Sequence, residues 1–226
     1  MKYVKGDRYI EYELILNRKY PFTYEIKNKV LYLNVAKKSD KEKNENFLFK
    51  EFDLLYNLIN DKEFRKFYGK KVIHYLGKPY FYKTKKDVKD EVEIKKDTII
   101  IHCKENTISQ HKAIYKRFLK KAVEQVIVKY YYDAQNDFND IKMPKITVKG
   151  LKSKKCFGYN EPDEICLSTE LGRYDEKYIK AIFYHELCHY YVYDHNDKFY
   201  EILDKKLENG SKIDKELDKV IVYDEF

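Results

Sequence analysis

Between Tyr9 and Leu16 the apolar residues Ile10, Tyr12, Leu14 and Leu16 alternate with Glu11 and Glu13, the period-two pattern of a half-buried strand. Phe22, Tyr24 and Ile26 repeat it, and KNK at 27–29 leads into VLYLNV, which predicts a hairpin. After a polar stretch, KKSDKEKNEN, the period changes: Leu48, Phe52, Leu55 and Ile59 share one helical face. Extended patterns return in KVIHYLGKPYFY, read as two strands around Leu76-Gly77-Lys78, and in DTIIIHC. Thr107 with Gln110 can form a capping box for a long helix, with Ile114, Phe118, Ala122 and Val126 on one side and a solvated row of Lys112, Lys116 and Lys120 on another. KITVK and EICLS predict two further strands, the second after an EPD turn.

The last third reads as helical. Gly172 and an Asp175 cap introduce a helix through YIKAIFYHELCHYYV. Phe199, Ile202, Leu203 and Leu207 mark another, which Asn209-Gly210 can terminate, and Ile213, Leu217, Val220 and Ile221 mark a short last one. No internal repeat and no Ser- or Pro-rich linker is legible. The expected organisation is therefore α+β, with a β-rich N-terminal region over 1–105 and a helix-rich region over 106–226, joined as one continuous structural unit.

Composition adds boundaries. With 43% hydrophobic and 37% charged residues the chain reads as globular and soluble. Its charge of +8 permits weak attraction to nucleic acid, but the lysines are scattered among acids and form no one-sided stripe. Abundant Lys, Asn, Tyr and Ile with no Trp fits an AT-biased coding sequence. The opening MKYVKGDRYI lacks an apolar signal core, and no uncharged apolar run is long enough to span a membrane. Four cysteines without CxxC spacing predict reduced thiols and a cytoplasmic protein.

The candidate chemistry is concentrated in HELCHYYVYDH, residues 185–195, which holds three of the 6 histidines. On a helix His185 and His189 stand one turn apart on one face, where two imidazoles can bind one metal. Glu186 is turned by about 100° from His185, close enough to serve as a base but poorly placed as a ligand. His195 is the third ligand candidate, reached if the chain leaves the helix after about Val192 and turns back. Three imidazoles with one position left for water suit a single catalytic zinc ion. Glu186 would then deprotonate a zinc-bound water and return the proton to the leaving amine, which is metal-assisted hydrolysis of a peptide bond in a protein or peptide substrate. The spacing matches HExxHxxGxxH enzymes, yet Val192 stands at their Gly and the only methionines, Met1 and Met143, lie upstream. Tyr190, Tyr193 and Tyr200 are nearby candidates for an oxyanion donor, and Asp194, Asp197 and Glu201 for orienting a ligand histidine. Cys188 reads as a packing residue; Cys156 and Cys166 flank a turn, and His74, His102 and His111 lack partners at ligand spacing.

The segment from 152 to 200 resembles the YgjP-like metallopeptidase family, with matches at Gly158, Ile165, Leu167, His185, Glu186, Leu187, Cys188, His189, His195 and Phe199. Phe157 and Tyr200 stand where that family usually has Trp, Tyr159 replaces a Ser and Ser168 an Asn. The resemblance implies a zincin-like fold with its active-site helix packed on a small sheet, zinc on His185, His189 and His195, and Glu186 as the catalytic acid and base. More distantly the segment is similar to SprT-like proteases that act near DNA. A competing expectation is a non-catalytic, zinc-stabilised binding module acting on nucleic acid or a nucleic-acid-bound protein; an open fourth coordination position favours the enzyme.

Overall fold

A computed structural model describes residues 1–19, 23–37, 40–68, 70–151, 156–217 and 220, the side chain of Glu63 excepted. Phe22 and Ile221, expected in a strand and in the last helix, lie outside the described residues. The chain divides into two compact units, Met1–Gly69 and Lys70–Phe226. Among the described residues no helix is long and apolar enough to cross a membrane.

In the first unit β1 (Lys2–Lys5), β2 (Arg8–Leu16), β3 (Tyr24–Lys27) and β4 (Val30–Val35) form a sheet in the order β1-β2-β4-β3. The expected hairpin is there: β3 pairs antiparallel with β4 around Asn28 and Lys29, both at positive φ as a twist-matched two-residue turn requires. Alternation turns Leu31, Leu33 and Val35 inward. Helix α1 (Lys41–Asn60) lays Leu48, Phe52, Leu55 and Ile59 over that sheet, with Ile10 and Leu31 completing the core. Each such fully buried aliphatic side chain contributes about 1.5–3 kcal/mol. Arg65, on the short α2 (Lys62–Phe67), donates to the carbonyls of Leu58 and Ile59, which α1 leaves unpaired at its end.

The second unit opens with the same design. Strands β5 (Val72–Tyr75), β6 (Lys78–Lys86), β7 (Glu91–Lys95) and β8 (Thr98–Cys103) are ordered β5-β6-β8-β7. As in the first unit, the inner pair is parallel and both outer pairs are antiparallel. The register coincides as well: Tyr12 lies opposite Leu31 and Ile26 opposite the same Leu31, just as Tyr82 and Ile94 both lie opposite Ile99. This corrects the expectation of no internal repeat. The two sets share this pairing and little residue identity, and β4 and β8 alone bury every second residue in the same alternation.

Helix α3 (Ile108–Asp137) follows β8, and the pattern change near residue 105 is the junction between them. Half of the expected capping box forms: Thr107 Oγ1 accepts from Gln110 N at 3.3 Å, whereas Gln110 Oε1 accepts from Glu105 N, two residues upstream of the expected partner. The first half of α3 packs Ile114, Tyr115 and Leu119 on Ile73, Ile99 and Ile101. Its second half contributes Val123, Val126 and Ile127 to another core, with Val148, Ile165, Leu167, Ile179 and Phe183. One helix therefore ties the four-stranded sheet to the part of the unit that carries the candidate site. That part contains β9 (Lys145–Lys149), β10 (Gly158–Glu161) and β11 (Glu164–Ser168), ordered β10-β11-β9, with β11 parallel to β9 and antiparallel to β10. A 3-10 turn (Thr169–Arg173) leads to α4 (Glu176–Cys188), α5 (Asp197–Lys206) and α6 (Gly210–Leu217). Gly172 in the turn touches α3 so closely that a Cβ would lie 2.7 Å from the Leu119 carbonyl oxygen. Two boundaries differ from expectation. Helix α4 ends at Cys188 rather than near Val192, and Gly210 opens α6 instead of closing α5, whose last turn bonds Leu207 N to Leu203 O.

Candidate metal centre

Helix α4 is a core helix. Asp175 caps it by accepting from Lys177 N at 3.0 Å, and Ile179, Phe183, Leu187 and Cys188 are fully buried along it. Tyr184 donates to Asp137 at 2.8 Å and so fixes α4 to the end of α3; burial and that carboxylate hold its phenol protonated far above the ordinary range. His185 emerges on the remaining face. His189 is the C-cap residue, still in right-handed helical conformation, so the one-turn spacing of the pair survives although the helix stops one residue earlier.

The end of the helix is tightened by Tyr190 N to Leu187 O (3.1 Å) and Tyr191 N to Cys188 O (2.9 Å), which turns the chain back. Tyr190 then donates to the Glu161 carbonyl on β10 at 2.7 Å, and Tyr191 donates to Asp140. Asn196 caps α5 by accepting from Phe199 N at 3.1 Å. A short loop held at both ends thus returns His195 to the first two histidines.

All three Nε2 atoms meet. His195 Nε2 is 2.8 Å from His185 Nε2, His189 Nε2 is 3.2 Å from it, and the three side chains could hold a metal ion. Tetrahedral zinc–nitrogen bonds of roughly 2.0–2.1 Å imply nitrogen separations of about 3.3 Å, close to what the rings present. The Nδ1 contacts fix the tautomers. His189 Nδ1 is 3.1 Å from the Val192 carbonyl, which can only accept, so this ring donates from Nδ1 and keeps its lone pair on Nε2. His185 Nδ1 is 3.1 Å from an Asp214 carboxylate oxygen, and the same reasoning applies. Lone pairs aimed at one point repel unless a cation sits between them. The ring of Phe199, fully buried, has its centroid 4.8–4.9 Å from all three imidazole centroids and forms an apolar floor under them.

Glu186 is 4% exposed, and burial pushes its carboxyl up to about 7, with nearby His185 opposing and Asp214 adding to the shift. It lies against Gly158 of β10, where a Cβ would stand 2.6 Å from Glu186 Oε1. Only glycine leaves room for the carboxyl here. His189 and His195 are pushed below the ordinary imidazole value, chiefly by burial, which favours the neutral, metal-binding form.

Among the described residues the carboxylate that bonds a histidine of the cluster is Asp214 of α6, not Asp194, Asp197 or Glu201. The apolar spacing of Ile213 and Leu217 predicts α6, but nothing in it marks Asp214 as the residue that would face His185. Asp204 of α5 accepts from Ser211 N and Oγ at 2.8 and 2.7 Å, and Lys177 of α4 pairs with Glu216 at 3.2 Å, so α6 is fastened at both ends. Of the three tyrosines, Tyr190 is committed to Glu161, Tyr200 packs edge-on against Phe199 beneath Lys215 Nζ, and Tyr193 is exposed with its ring 6.4 Å from that of His189. The four cysteines are free; burial raises the Cys188 thiol to about 12, and Cys156 Sγ donates to the Gly158 carbonyl. His102 bonds Asp87 at 3.0 Å and His111 bonds Asn106 at 3.0 Å, both apart from the cluster.

An α+β unit whose buried helix offers two imidazoles and an intervening carboxyl to a third imidazole from the next loop has the architecture of a metallopeptidase domain. Comparison with sequence families agrees: the family described as YgjP-like, metallopeptidase domain, matches residues 21–220, and the chain belongs to that family. No curated protein and no solved structure matches the chain.

Proposed function

We propose that the protein is a zinc-dependent peptidase in which His185, His189 and His195 hold one zinc ion and Glu186 moves the proton of the hydrolytic water. The observation that carries this reading is the convergence of three Nε2 atoms, those of His195 and His189 lying 2.8 and 3.2 Å from that of His185, with the Nδ1 atoms of His185 and His189 already bonded elsewhere. Zinc, when bound, supplies Lewis acidity toward a peptide carbonyl and a nearby water. The remaining work falls to the chain. Glu186 can take a proton from water and pass it to the leaving amide nitrogen, and its burial favours the protonated form that donates. Gly158 admits the carboxyl, Phe199 excludes water from beneath the rings, and Asp214 holds His185 in its ligand tautomer. A protein or peptide substrate that extends along the edge strand β10 would lie beside Glu186, held by backbone hydrogen bonds.

Elemental analysis of purified wild type and His195→Ala tests the ligand set: zinc should be stoichiometric in the first and depleted in the second. Glu186→Gln should retain zinc and lose hydrolysis of an unstructured protein substrate. Equal zinc in both proteins of the first pair, or equal turnover in wild type and Glu186→Gln, rejects the corresponding assignment.

A further inference from the structure

A groove of about 770 Å³ runs between α3 and β9, on the edge of the three-stranded sheet opposite β10. It is lined by every residue from Pro144 to Lys149, those pointing up and those pointing down alike. A groove of that kind follows the edge of a strand and not one face of the sheet. Among the described residues β9 pairs in its sheet with β11 alone, so along the groove alternate residues turn a backbone N–H and C=O toward no described strand. The opposite wall is α3, where Ile127 is buried while Val128 and Tyr132 are 71% and 73% exposed. Val128 and Tyr132 thus leave apolar surface in water beside the edge of β9.

The rim carries charge. Lys145 and Lys149 stand at the two ends of β9 and Lys120 stands on α3, with Glu124 and Glu164 as the acids. Lys120 pairs with Glu124 at 3.7 Å, and Lys149 lies 3.9 Å from Glu164, which also accepts from Thr147 Oγ1. Positive charge is in excess by one, and the two strand lysines are four positions apart, on one side of the strand. That arrangement argues against a second copy of β9 as the occupant. Antiparallel self-pairing centred on Thr147 would set Lys145 of each copy opposite Lys149 of the other, and like charges directly opposite are destabilising.

We propose that this groove docks an extended, acid-flanked segment of a partner protein, which adds to β9 as a fourth strand. Carboxylates four positions apart on the segment meet Lys145 and Lys149, and its β-branched or aromatic side chains lie on Val128, Tyr131 and Tyr132. The residues involved are separate from the three histidines and Glu186, so docking adds a recognition surface and leaves the candidate chemistry as it is.

The test uses the full chain and a fluorescent peptide in which valine and threonine alternate between two glutamates four positions apart. Anisotropy at low salt should show saturable binding, and the backbone amides shifted in NMR spectra should be those of 144–149 and 127–132. The double variant Val128→Glu, Tyr132→Glu and the single variant Lys145→Glu should each weaken binding by about tenfold or more, as should exchange of the peptide glutamates for lysines. Circular dichroism and metal content should be unchanged in these variants, because the substituted side chains are exposed. No binding at millimolar peptide, equal binding of the lysine-flanked peptide, or shifts located elsewhere would overturn the proposal. So would a dimer of the free protein that the double variant dissociates, which assigns the groove to a second copy.

Discussion

Glu186 supplies the sharpest test of the physical picture, because its burial makes an opposite prediction for stability and for catalysis. In the metal-free protein its carboxyl titrates near 7 in the folded state against an ordinary value of 4.5. A carboxyl with a raised folded pKa binds its proton more tightly in the folded state between those two values, so stability is greatest below pH 4.5 and falls as pH rises toward 7. A shift of that size corresponds to about 3 kcal/mol once the pH exceeds both values. Glutamine has the same shape and no charge to desolvate. Metal-free Glu186→Gln should therefore match wild type near pH 4 and exceed it by about 3 kcal/mol at pH 8, roughly 6–12 °C in Tm for a unit of this size. Urea unfolding of chelator-treated protein across this range measures the difference, and the histidines, present in both proteins, cancel to first order. Parallel stability curves for the two proteins would mean that Glu186 is not held in a desolvated site, and the argument for its proton affinity would fall with them.

Other outcomes follow from the same geometry. Gly158→Ala places a methyl 2.6 Å from Glu186 Oε1 and should cut kcat by about tenfold or more while zinc content stays stoichiometric, since overpacking at this contact costs about 1–3 kcal/mol and displaces the carboxyl. Asp214→Asn should weaken zinc affinity by about 10–100-fold in chelator competition, because the neutral amide no longer holds the His185 tautomer by a charged acceptor. Cys188, buried with its thiol raised to about 12, should resist alkylation in the native protein at pH 8 and react only on unfolding; rapid native labelling would place it outside the core.

The local patterns were enough to find most elements and the candidate ligands. Alternation in VLYLNV and TIIIHC, the apolar stripe of α1 and the cap at Asp175 all report which side of a short segment meets the core, and that information is carried by neighbours a few positions apart. His185 and His189 are related by helix geometry alone, so their spacing was readable before any fold was known. The repeated four-stranded design is not legible in the sequence because its copies share the pairing register and the alternation of β4 and β8, while the residues themselves have diverged apart from Tyr12 and Tyr82 and from Glu25-Ile26-Lys27 and Glu93-Ile94-Lys95.

What the chain alone determined, then, is the periodicity of its elements and the chemistry of one helix with its following loop. The tertiary structure decided the rest of the centre: that Asp214, 29 residues from His185, is its hydrogen-bond partner, that Phe199 floors the three rings, and that Gly158 makes space for Glu186. These are contacts between separate elements whose approach depends on how helices and sheet pack together. A residue's own neighbours in sequence hold no record of the distant surface it will face, because that surface is created only when the cores beneath α3 and α4 close.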